Sequence, residues 1–176
     1  NLIQLSQNQK GVRCVHGFLE DSMNTLKENQ YDSIVLGGVL HEVENPLIFL
    51  KYVYELMEIG TTVYINVPNA KSFHRELGKR MGVIDSVYDK TQRNILLDQK
   101  SIFDHQTLRD LIDEAMPHIE IIGSGTFFIK PFTHDQMQKS LELNIISESM
   151  IEGLFQISEI FPDHGSEIFY AVSRRE

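Results

Sequence analysis

The sequence predicts an α/β fold built on an open, mostly parallel sheet, and three observations carry that expectation. Two apolar runs, at residues 34–36 and 63–67, are bounded by turn residues and read as strands covered on both faces. Between them lies a proline-led segment that places Leu47, Leu50, Tyr54 and Met57 on one helical face. Strand, helix and strand joined by short connections make a βαβ unit, whose two strands lie side by side and parallel.

Each element follows from local signals. Residues 2–9 read as a short helix ended by Gly11, and "VRCVHGF" (12–18) reads as a strand. Ser22 is placed to cap a short helix over 22–30. The run "DSIVLGG" (32–38) is the first buried strand. Asn45 caps the next helix, Pro46 takes its first position and Gly60 stops it. The strand over 61–67 ends at Pro68. Residues 69–103 are polar, interrupted by Gly78 and Gly82, and read as short helices forming a lid. Asp104 opens a helix with Leu108, Leu111, Ile112 and Ala115 inward, closed by Pro117. Strand and extended chain follow over 118–130, and Thr133 with Gln136 forms a capping box. A further helix carries Met150, Leu154, Ile157 and Phe161 on one stripe, and "EIFYAV" (167–172) is a last buried strand. The expectation is one domain over 1–176, with 69–103 and 124–165 as lid and substrate segments.

The 176 residues, 41% hydrophobic and 23% charged, suit a single soluble globule. No apolar run is long enough to span a bilayer and no basic-then-apolar leader opens the chain, so neither membrane nor secretion is expected. The single Cys14 excludes an internal disulfide, fits a reducing cytoplasmic setting, and reads as a buried inert thiol. A net charge of −9 argues against a nucleic-acid partner and suits a neutral or cationic small ligand. His105, His118, His134 and His164 share no ligand spacing with one another or with Cys14, so no metal site is expected. Hydrolase and kinase motifs are missing from the sequence. A homodimer is left open.

The chemistry concentrates where strands end. In open α/β sheets ligands bind beyond the carboxyl ends of the strands. Gly37 and Gly38 leave bare backbone there, which a ligand can approach closely because no Cβ intervenes. Phe18, Leu19 and Glu20 offer an apolar slot beside a carboxylate, and Asn69, after Pro68, offers both donor and acceptor.

These residues resemble a family. The stretch "YDSIVLGGVLHEVENPLIFLKYVYELMEIGTTVYINVPNAKSFHRELG" (31–78) looks like the middle of a class I S-adenosylmethionine-dependent methyltransferase. The likeness lies in the acidic-aromatic lead-in, apolar strand, leucine-rich turn with a His-containing pair, helix, glycine, strand and "VPN". It runs from Asn1 to about Ala115, and more loosely to the last strand. "NAKSFHRELGKRMG" and "FFIKPFTHDQM" further resemble the subgroup that methylates small molecules and sugar-type substrates.

The resemblance implies a Rossmann-like sheet of the class I methyltransferase type with S-adenosylmethionine as cofactor. It implies that Phe18 and Leu19 line the adenine slot, that Glu20 accepts from the exocyclic amine, and that the Gly37 and Gly38 carbonyls face the sulfonium. His41 would be the general base, and Asn69, His74 and Arg75 would bind the methyl acceptor, Arg75 suiting a carboxylate or phosphate. Two departures stand out. The family's glycine-rich loop and ribose-gripping acid belong upstream of Asn1, so an N-terminal segment with its strands is expected to be missing. The turn reads His41-Glu42 where the family commonly reads Glu-His. Two other readings compete: a non-catalytic methyltransferase-like binding module, and a nicotinamide-dependent oxidoreductase domain, which would need a Gly-x-Gly-x-x-Gly turn.

Overall fold

A computed structural model describes residues 11–176, and the expected βαβ unit lies at its centre. Strand β1 (Ser33–Gly37) leads into helix α2 (Pro46–Glu55) and then strand β2 (Thr62–Pro68), with a preceding helix α1 at Leu19–Leu26. Asn45 caps α2 as expected, its Oδ1 accepting from the Ile48 N–H at 3.1 Å, with Pro46 at the first helical position. β1 and β2 pair in parallel, Ser33 opposite Thr62 through Gly37 opposite Asn66.

After β2 come helices α3 (Phe73–Arg80), α4 (Gln92–Leu96) and α5 (His105–Ala115). Strand β3 (Ile119–Phe127), helices α6 (His134–Glu142) and α7 (Glu148–Gln156) and strand β4 (Glu167–Arg174) complete the chain. The sheet order is β1-β2-β4-β3, so the last strand wedges between β2 and β3 and runs antiparallel to both. Both expected caps are present: Asp104 accepts from the Thr107 N–H, and Thr133 and Gln136 exchange side-chain and backbone bonds.

Alternation sorts the sheet into two faces. Val63, Ile65 and Val67 of β2 and Ile168, Tyr170 and Val172 of β4 are buried together with Leu50 and Val53 of α2 and Leu108 and Ile112 of α5. Each such aliphatic side chain contributes roughly 1.5–3 kcal/mol relative to exposure. The other face carries Val35, Tyr64, Asn66, Phe169 and Glu167; Val35 and Tyr64 are exposed.

Several expectations change. The run at 12–18 forms no strand; Val12 and Val15 are exposed, and no described strand pairs with it. Strand propensity without a ladder partner leaves backbone groups unpaired and does not hold. Phe18 to Glu20 therefore sit at the start of a helix rather than at a strand end. Ser22 lies buried inside α1, because Leu19 and Met23, four residues apart, bring the helix onto the core a turn earlier. Residues 124–127 belong to β3 rather than to a lid segment. The stripe at 150–161 stays largely on the surface, with Met150, Ile157 and Phe161 exposed, and the helix breaks into a 3₁₀ turn at Ile157–Glu159. Cys14 is half-buried. The expected helix at 2–9 lies outside the described residues.

The turn entering β4 permits no side chain. A Cβ on Gly165 would stand 2.5 Å from the Phe127 nitrogen and 2.6 Å from Thr126 Oγ1, and backbone cannot yield as a side-chain end can. Gly165→Ala should therefore destabilise the chain by about 1–3 kcal/mol, read as a lower urea midpoint with unchanged slope.

Candidate functional site

The site grows from the end of β1. The Gly38 N–H donates to the Asn66 carbonyl at 3.2 Å, prolonging the parallel ladder by one bond, and Gly38 then turns away at φ +67°. That conformation suits glycine. A Cβ on Gly37 would find nothing nearer than Asn66 Oδ1 at 3.9 Å, and one on Gly38 nothing nearer than His41 Cε1 at 4.0 Å. The backbone past residue 36 is thus a ledge open to an approaching group, with His41 on one flank and Asn66 on the other.

His41 lies in the turn between ledge and α2 and is only 6% exposed. Its carbonyl accepts from the Lys100 N–H at 2.8 Å and the Ser101 N–H at 3.1 Å, so the turn also anchors the end of segment 69–103. The Nε2 is 3.8 Å from Glu42 Oε1, and the Nδ1 is buried with no hydrogen-bond partner. Burial lowers its pKa and Glu42 only partly opposes this, so the ring is neutral near pH 7.

The end of β2 is more firmly committed than its sequence suggests. Asn69 is buried, and its Nδ2 donates to the Asp163 and Gly165 carbonyls at 3.0 and 2.9 Å while Oδ1 accepts from the Lys71 N–H. Its expected role as a substrate ligand meets an amide already engaged at both ends; what it holds is the strand exit. Arg75 donates from Nε to the Val87 carbonyl at 2.8 Å and from Nη2 to the Asp89 carbonyl, pinning the 83–90 loop. His41, Asn69, Arg75, Gln99 and Ser101 close around a cavity of about 20 Å³, room for about one water.

Asp104 fastens the same segment to the core. Its Oδ2 receives Lys71 Nζ and the Tyr88 hydroxyl, each at 2.6 Å. Burial alone would raise this carboxyl, but bonds from Lys71, Thr107 and Tyr88 outweigh it and hold it well below the usual range.

On the strand side of the ledge lies a group that sequence inspection missed. Asn66 and Glu167 occupy one face of the sheet as diagonal neighbours, Glu167 standing opposite Pro68 and Asn66 two residues before it. The Asn66 side chain beside it favours the charged form of the Glu167 carboxyl. Burial raises Glu167, with Asn66 and Lys130 opposing; burial lowers Lys130, with Glu167 opposing. The only sequence signal was one polar residue near the end of the strand over 61–67 and one at the start of the run over 167–172. Phe18 is 74% exposed and Glu20 sits in the first turn of α1 beside Asp21, with no hydrogen bond to the ledge among the described residues.

Behind this group His74 has a buried Nδ1 without a partner, and burial, Lys130 and Arg75 push the ring down to about 4. An imidazole neutral in the fold yet protonating near 6.5 when unfolded supports stability above that pH and loses the support as pH falls toward 4. Chemical denaturation should show stability declining from pH 6.5 to 4, and His74→Gln should flatten part of that decline.

No family profile and no curated protein matches this sequence. Among solved structures the chain is similar to a SAM dependent methyltransferase from Archaeoglobus fulgidus, with a TM-score of 0.54, 13% identity, 99% of this chain covered and 73% of that one. The plantazolicin methyltransferase BamL aligns at TM-score 0.47 and 12% identity, over 88% of this chain and 58% of that one. Phosphoethanolamine N-methyltransferase 2 of Haemonchus contortus aligns at 0.43 and 11%, over 86% and 36%. The β1-β2-β4-β3 sheet and its surrounding helices therefore have the fold of the Archaeoglobus methyltransferase.

Proposed function

We propose that this chain forms part of an S-adenosylmethionine-dependent methyltransferase acting on a small-molecule acceptor, of which a sugar-type compound is one kind. The observation that carries the reading is the open ledge at Gly37 and Gly38, at the carboxyl end of a parallel strand and with a Cβ-sized space above each glycine. When bound, the cofactor supplies a methyl group on a positively charged sulfur, activated without help from the protein. The residues then have to bind, orient and exclude water. Backbone carbonyls at the ledge favour a cation without acting as nucleophiles. Phe18 and Leu19 serve as the apolar wall for the adenine, and Glu20 as its polar end.

His41 brings a neutral imidazole to the ledge, fit to accept a proton from a hydroxyl or to orient an amine. His74 and the guanidinium hydrogens of Arg75 that remain unspent are the acceptor contacts on the 69–103 side, and that segment is the lid. The reading favours sulfonium over nicotinamide because a flat, bare peptide edge meets a compact cation.

Isothermal titration of the full chain with S-adenosylmethionine, and with NAD as a control, tests this. Binding of the first and not the second is expected. Gly37→Val should keep the fold, its Cβ meeting nothing nearer than Asn66 Oδ1 at 3.9 Å, yet weaken S-adenosylmethionine by about tenfold or more; undiminished binding would remove the ledge from the reading.

A further inference from the structure

We propose that Glu167, the diagonal neighbour of Asn66 on the sheet face, is the group that faces the transferring methyl from the strand side and receives the acceptor's proton. This rests on the cofactor reading above. The register carries it. Gly37 is the direct neighbour of Asn66 across the parallel pair, and paired residues send side chains to the same face. A Cβ on Gly37 would meet Asn66 Oδ1 before any other atom, so the Asn66 side chain borders the open space above the ledge. Glu167 stands one diagonal step further along the same rim, with its neighbours Pro68 and Phe127 on either side. Glycine, amide and carboxylate thus lie in a row across three adjacent strands.

The charged groups around this row fit the role. Lys130 lies near enough to act on Glu167 electrostatically, and among the described residues the two make no ion pair within 4 Å. Lys130 is in turn neighboured by Arg93, and His74 by Lys130 and Arg75. Burial holds the carboxyl above its ordinary value, which improves it as a proton acceptor. On this assignment His41, on the opposite flank with its Nδ1 closed off by burial, orients the acceptor, and the proton goes to Glu167. The balance is simple. As the acceptor's heteroatom bonds to the methyl carbon, the carbon–sulfur bond breaks and leaves a neutral thioether. The heteroatom's proton passes to the Glu167 carboxylate. The acceptor is accordingly one whose nucleophile has a lone pair and carries a hydrogen, a hydroxyl or an uncharged primary or secondary amine.

Two cofactor analogues test the placement without an acceptor. S-adenosylhomocysteine lacks the methyl and its charge, whereas sinefungin carries a protonated amine on the carbon that replaces the methyl-bearing sulfur. In calorimetry on the full chain, Glu167→Gln should weaken sinefungin by at least about fivefold and leave S-adenosylhomocysteine within about twofold. Equal effects on both, or none on either, would overturn the inference. Should wild type bind neither analogue, the cofactor reading falls first and this one with it. If Glu167→Gln fails to fold, wild type gives the answer: its preference for sinefungin should fade as acid neutralises Glu167, and a preference constant with pH would overturn the assignment.

Discussion

A single buried amide holds the rim of the sheet together. Asn69 leaves β2 and, through both ends of its side chain, ties the chain entering β4 to the chain leaving β2. Its backbone N–H adds a bond to the Ser166 carbonyl, and the residue also bridges to Phe103 in the segment returning from α4. Three chain passages meet at one residue, through its side chain and its backbone, with little solvent to replace a lost partner. An unmet buried amide costs about 1–3 kcal/mol per group, so the geometry around Gly37, Asn66 and Glu167 depends on this knot staying tied. The tight approach at Gly165 fixes the same turn from its other side, against Thr126 and Phe127 at the end of β3.

Much of the fold was legible in the sequence because the signals were local. Asn45-Pro46, Asp104 and Thr133 each announce a helix start through chemistry that acts within one turn. The parallel β1–β2 pair followed from periodicity and connection length. Residues 12–18 misled for the complementary reason, since alternation shows what a strand would bury but not whether a neighbour exists to pair with it. Likewise the stripe at 150–161 has helical spacing, yet nothing among the described residues covers Met150 or Phe161.

The candidate site divides the same way. Gly37 and Gly38 could be found because bare backbone after an apolar strand is visible in one dimension. Asn69 looked like a ligand group, and only its partners show the amide consumed by structure. Glu167 was invisible because its neighbour Asn66 lies a hundred residues upstream, brought near by the register of β4 against β2. Lys71, Tyr88 and Asp104 met only in three dimensions too, and their shared bonds fasten the 69–103 segment beside the ledge.

The antiparallel wedge has a consequence for how the molecule is made. β2 and β3 do not pair with each other; β4 pairs with both and joins them into one sheet. During synthesis the early βαβ unit can assemble from nearby contacts, but the sheet must wait with a gap in its middle until β4 emerges. Ile168, Tyr170 and Val172 then close the interior in a single late event. The rim chemistry, which borrows Glu167 from that same strand, comes into being only when β4 takes its place in the sheet.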